Sequence, residues 1–187
     1  MEVSAKNSLQ SLEWFPMRVT YRRELKMKDV LDELGIENFV PMHYELIDTA
    51  NGPRRMLVPA IHNLIFVRST QETLTELKMH RREFEPLRYM MKPLDGGYTI
   101  MRVPDREMEN FLRVARVEDE RVMFLDYNDF ISKIGRRVRI NEGHFAGVEG
   151  VIKRIKKNKH VVVQIEGVAA VAITFVPASF LSLMDDN

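Results

Sequence analysis

Met27, Val30, Leu31 and Leu34 recur at the i, i+3, i+4, i+7 spacing of one helical face, and Gly35 follows where a left-handed cap is expected. A helix is predicted there, preceded by a strand from Trp14 to Tyr21. From Asn38 to Ile47 the period drops to two, with Val40, Met42, Tyr44 and Leu46 on one side, as in a half-buried strand. Pro41 assigns this strand to a sheet edge or a bulge. After the turn residues Asn51, Gly52 and Pro53, the extended apolar runs Met56–Val58 and Ile61–Val67 are expected to pair as a hairpin. Ser69 and Glu72 form a capping-box pattern that opens a short helix toward His80. Two further extended runs, Leu87–Met91 and Tyr98–Val103, flank the turn Asp95-Gly96-Gly97. Pro104 then opens a helix with Met108, Phe111, Leu112 and Ala115 on one face.

The stretch from Val117 to Ile131 has no clear period and carries five acidic residues against one basic. It reads as a linker over residues 119–131, although Met123, Phe124, Leu125, Tyr127 and Phe130 are too apolar for a solvated chain and are expected to pack on a domain. Beyond it come short β runs at Arg137–Ile140, Gly150–Ile155, His160–Ile165, Val168–Val176 and Phe180–Leu183, the pattern of a small barrel. The fold class is therefore α+β. An N-terminal domain over 13–118 holds a mixed or antiparallel sheet flanked by helices, and a small β-barrel follows over 132–187.

Composition narrows the class. With 45% hydrophobic and 29% charged residues in 187, the chain is globular and buries a real core. No apolar run has the length of a membrane span and the start lacks a secretory pattern, so a cytoplasmic protein is expected. The absence of cysteine excludes disulfides, thiolate metal sites and cysteine nucleophiles. The net charge of +1 gives no global argument for nucleic-acid binding. Its distribution is uneven, since residues 132–187 carry nine Lys and Arg against five Asp and Glu, while the rest carries nineteen against twenty-two. Enzyme motifs are missing: there is no GxxxxGK[ST], HExxH or GxSxG, and histidines 43, 62, 80, 144 and 160 lack ligand spacing. The chain is not expected to be an enzyme or to need a cofactor or metal.

The most specific signal is the run GRRVRINEGHFAGVEGVIKRI, with Gly135, Val138, Gly143, Phe145, Gly147 and Gly150. A generic hairpin needs one glycine at its tip; here four glycines surround a phenylalanine suited to plug a barrel end. The spacing resembles the KOW motif, which implies an SH3-like barrel. With that motif placed, Trp14-Phe15, the run Gly35-Ile36-Glu37-Asn38-Phe39-Val40-Pro41-Met42 and the run Ile61-His62-Asn63-Leu64-Ile65-Phe66-Val67 resemble the N-terminal domain of the NusG family. The segment VPAIHNLIFVRS is most similar to the specialised RfaH and UpxY-type antiterminators. At the third strand the family's Phe, Pro, Gly and Tyr are replaced by Ala60, Ile61, His62, Asn63 and Leu64.

The resemblance implies a transcription elongation or antitermination factor that binds RNA polymerase and reduces pausing or termination on specific operons, such as those for polysaccharide biosynthesis. It implies a polymerase contact through an apolar patch at Ile61, Leu64, Phe66 and Tyr44; the alternative is that these are ordinary sheet-core residues. Arg18, Tyr21, Arg22, Arg23 and Lys26 would face non-template DNA or nascent RNA, or else form a solvated surface. Lys153, Arg154, Lys156, Lys157 and Lys159 would contact phosphate or keep a β edge soluble. The barrel's implied partner is termination factor Rho or a ribosomal protein, and the chain is expected to be a monomer. The competing class is an RNA-binding or ribosome-associated KOW protein, disfavoured by the N-terminal resemblance.

Overall fold

The structure is a computed structural model that describes residues 11–125, 135–155 and 158–184. Strand β1 (Glu13–Val19) leads through a short turn into helix α1 (Glu24–Glu33). Met27 and Leu31 are buried on the predicted face and Val30 partly so, whereas Leu34 falls on the cap and is exposed. Gly35 closes the helix at φ 67°. Strands β2 (Asn38–Phe39), β3 (Met42–Thr49), β4 (Gly52–Pro59) and β5 (Leu64–Ser69) follow.

The expected hairpin of Met56–Val58 with Ile61–Val67 is not formed. Strand β4 pairs with β3 in a separate two-stranded ribbon, and β5 lies between β1 and β2. The turn at Gly52 joins long strands of equal length, and that local ladder outcompetes the later pairing. Helix α2 (Gln71–His80) is capped by Thr70 rather than Ser69, its hydroxyl accepting the Thr73 N–H at 3.1 Å. Strand β6 (Leu87–Tyr89) completes the sheet order β2-β5-β1-β6, and β7 (Met91–Leu94) pairs with β8 (Gly97–Ile100) as a second ribbon.

Alternation on β5 divides the interior. Ile65 and Val67 join Phe15, Met17, Met27, Leu31 and Leu74 in a core shared with α1 and α2. Leu64 and Phe66 face the other way, onto helix α3 (Asp105–Ala115), where Met108, Phe111, Leu112 and Ala115 are buried as expected. Val114 is buried as well, because α3 has a second apolar contact. Pro104 stands at its N-cap rather than at its first helical position.

That second contact is the C-terminal sheet. Strand β9 (Val122–Leu125) forms inside the segment read as a linker, and β10 (Arg137–Ile140), β11 (Glu149–Ile155), β12 (Asn158–Ile165), β13 (Ala169–Thr174) and β14 (Leu181–Leu183) follow. They form one antiparallel sheet in the order β14-β10-β11-β12-β13-β9. No ladder joins its two end strands among the described residues, so the closed barrel expected from the β runs is not seen. Val161, Val163, Ile165, Val171 and Ile173 share one core with α3 and with Trp14, Leu64 and Phe66. Residues 126–131 of the expected linker lie outside the described residues.

Candidate functional site

Three surfaces carry the residues singled out in the sequence. The first is the β1–α1 turn. Tyr21 (φ 64°) and Arg22 (φ 52°) are left-handed, as is Asn63 (φ 61°) across from them. Arg22 N–H donates to Asn63 Oδ1 at 3.1 Å, Val19 N–H to the Asn63 carbonyl at 3.0 Å, and Asn63 N–H to Glu24 Oε1 at 3.3 Å. Glu24 is buried, with the exposed His62 ring 3.7 Å from its carboxylate. These bonds tie two strained turns together and hold Tyr21 outward, 83% exposed, with the Arg23 guanidinium 5.6 Å from its ring centre. Arg18, Arg22, Arg23 and Lys26 are all exposed around it. Arg88, opposite Arg18 in the β1–β6 register, adds a cation that only the strand pairing reveals.

The second surface is the β3–β4 ribbon. Register puts Tyr44 opposite Leu57 and Leu46 opposite Arg55, so these four share one face, and all are exposed. The Arg55 guanidinium lies over the Tyr44 ring at 4.3 Å. Between this ribbon, Phe39, the C-terminal end of α3 and β9 runs a groove of about 690 Å³. Of the residues expected on a polymerase-facing patch, Tyr44 is exposed at its rim. Ile61 is partly buried, and Leu64 and Phe66 are buried beneath α3, with Phe66 5.8 Å from the Phe111 ring and 6.4 Å from Phe39. The continuous run Leu64-Ile65-Phe66-Val67 is the sequence signal for burial on both faces.

The third surface is the junction of α3 with the C-terminal sheet, around the KOW-like residues. Asn110 brackets Glu149: its Nδ2 donates to the Glu149 carbonyl at 2.6 Å and its Oδ1 accepts the Glu149 N–H at 2.9 Å. The Glu149 carboxylate takes Arg139 at 2.5 Å and Arg106 at 3.0 Å. The Arg139 hydrogen bond, ahead of that from Arg106, holds this carboxyl below its ordinary range. Gly147, at φ 86°, passes so close to α3 that a Cβ would lie 2.9 Å from Arg113 Nη1; at Gly150 a Cβ would lie 2.7 Å from the Val162 carbonyl oxygen. Val138 and Phe145 are buried, Gly135 abuts β11, and Gly143 sits in the turn beside Phe180. Lys153, Arg154 and Lys159 flank the β11–β12 turn, and Lys156 and Lys157 lie outside the described residues.

Residues 12–112 match the family model described as NusG, transcription termination factor nusG. No curated protein matches the chain in sequence. A solved structure titled "Domain interaction in Thermotoga maritima NusG" is similar at 20% identity and TM-score 0.44, covering 94% of this chain and 98% of that one.

Proposed function

This chain belongs to the NusG family of transcription factors, and from that premise we propose that it binds RNA polymerase during elongation and reduces pausing or termination, as the specialised RfaH and UpxY-type factors do. The observation that carries the reading is the family match, which covers the whole N-terminal sheet with α1, α2 and most of α3. A KOW-like motif alone would equally suit a ribosome-associated protein; a NusG-type N-terminal domain favours the polymerase.

The polymerase contact is assigned to the exposed ribbon face of Tyr44, Leu46 and Leu57 and the groove behind it, while Ile61, Leu64 and Phe66 belong to the core beneath α3. Exposed apolar side chains flanking a groove suit a partner's amphipathic helix. The strained turn supplies the nucleic-acid side: Tyr21 offers a stacking face, and Arg18, Arg22, Arg23 and Lys26 offer charge to non-template DNA or nascent RNA. The C-terminal sheet, read as an SH3-like KOW domain, serves a protein partner such as Rho or a ribosomal protein. The factor works in the cytoplasm as a monomer, without cofactor or catalytic step.

Capture on immobilised core polymerase and on ribosomal subunits, side by side, tests the reading. Retention on polymerase alone is expected. Retention on ribosomal subunits alone would transfer the chain to the ribosome-associated class.

A further inference from the structure

Ala60 N–H donates to the Pro41 carbonyl at 2.8 Å, one step beyond the β3–β4 ladder and in its register. Opposed residues in an antiparallel pair alternate between exchanging hydrogen bonds and not exchanging them. With Pro41 and Ala60 bonded, His43–Val58, Glu45–Met56, Ile47–Arg54 and Thr49–Gly52 are the pairs that turn their N–H and C=O groups toward each other. On β4 the backbone groups of Pro53, Arg55, Leu57 and Pro59 therefore point away from β3. Neither proline has an N–H, so the outer edge offers two donors, Arg55 and Leu57, with a proline closing each end. No other described strand joins this edge, and neither N–H has a backbone partner among the described residues.

A ribbon of two strands is marginal in water, and Pro53 to Leu57 are all exposed, so packing contributes little to this one. Prolines at the ends of an edge guard against open-ended pairing; the middle of this edge is left open to a short strand. Charge separates it from the other edge of the ribbon. Strand β4 carries Arg54 and Arg55 and no acid, whereas β3 carries Glu45 and Asp48. Among the described residues Arg54 has no charged partner, and Arg55 has only the Tyr44 ring.

We propose that the outer edge of β4 binds a short, acidic, extended segment of a protein partner by strand addition. The segment runs antiparallel to β4, with an apolar residue beside Leu57 and carboxylates beside Arg55 and Arg54. Main-chain bonds to Arg55 and Leu57 supply the affinity, and the two arginines select the sequence. On the edge of β3 the same segment would meet Glu45 and Asp48, and like charges repel it there. The polymerase contact uses a face of the ribbon and this contact uses its edge, so the inference stands whatever occupies the face.

The test titrates the isotopically labelled full chain with the peptide acetyl-Thr-Val-Thr-Glu-Glu-Thr-amide, which sets Val opposite Leu57 and the two Glu opposite Arg55 and Arg54. Amide shifts at Arg55 and Leu57 are expected, and N-methylation of the peptide's Val and first Glu is expected to abolish them. Leu57→Pro removes one outward N–H and none that faces β3, so affinity is expected to fall about tenfold while the β3 amide pattern is retained. Should that variant lose the ribbon, Arg54→Glu with Arg55→Glu decides, by releasing the acidic peptide and taking up its Lys-Lys counterpart. No shift at Arg55 and Leu57, equal binding of the N-methylated peptide, full affinity in a folded Leu57→Pro chain, or a charge-reversed chain that still prefers the acidic peptide would overturn the proposal.

Discussion

Phe145 lies in a loop whose other residues, Val148 apart, are exposed, yet it is only 5% exposed and packs in the core that joins α3 to the C-terminal sheet. Truncation to Phe145→Ala leaves a cavity there and is expected to cost about 3–5 kcal/mol, read from the shift of a denaturant midpoint. A near-neutral effect would mean that the ring is used on the surface. Tyr21 makes the opposite case: its exposed ring supports no core, so Tyr21→Ala is expected to leave stability within about 0.5 kcal/mol while weakening oligonucleotide binding. Phe145 was legible because the glycine spacing around it isolates one bulky apolar residue. The inward placement of Leu64 and Phe66 was open in the sequence, because alternation on a strand covered on both faces cannot say which residues a partner could reach. The left-handed backbone of Tyr21 and Arg22 had no sequence signal, since neither is glycine or asparagine, whereas Asn63 is of a type that tolerates this region.

Among the elements, the β3–β4 ribbon is the one to which we assign the proposed polymerase contact, and its exposure makes a clean experiment possible. Tyr44→Asp with Leu46→Asp is expected to preserve the circular dichroism spectrum and remove binding to an elongation complex, because a carboxylate pressed into an apolar contact loses its hydration without gaining a partner. The same charges at Leu64 would unfold the sheet instead. The α1 and α3 faces were readable from their period, and the C-terminal runs from their length. The ribbon pairing was not, because Met56–Val58 is apolar enough to suit either neighbour and only the long ladder of β3 with β4 decides. Strand β9 was hidden in an acidic segment whose apolar residues foretold packing but not strand pairing. At the α3 junction, Glu149 sets a pH dependence. Its folded-state pKa lies below the ordinary carboxylate value, so its contribution to the junction is present in full above that value and is lost as pH falls through the depressed one. Glu149→Gln should flatten that acid limb in a stability-against-pH series while the Asn110 bonds to the backbone persist.

In the whole molecule α3 joins the two sheets, since one face covers the N-terminal sheet and the other lies on β12 and β13. Nothing in the sequence announced this shared core, because the apolar stripe of α3 reads identically whether it covers one sheet or two. Residues 132–187 expressed alone lack both α3 and β9 and should therefore show amide shifts at Val161, Val163 and Val171 relative to the full chain. Whether the chain acts on a transcribing polymerase is read from the dwell time of purified polymerase at a pause site with and without the full chain. Shorter pauses are expected with the wild-type chain and unaltered pauses with Tyr44→Asp and Leu46→Asp combined; pauses that the wild-type chain leaves unchanged would overturn the proposed function.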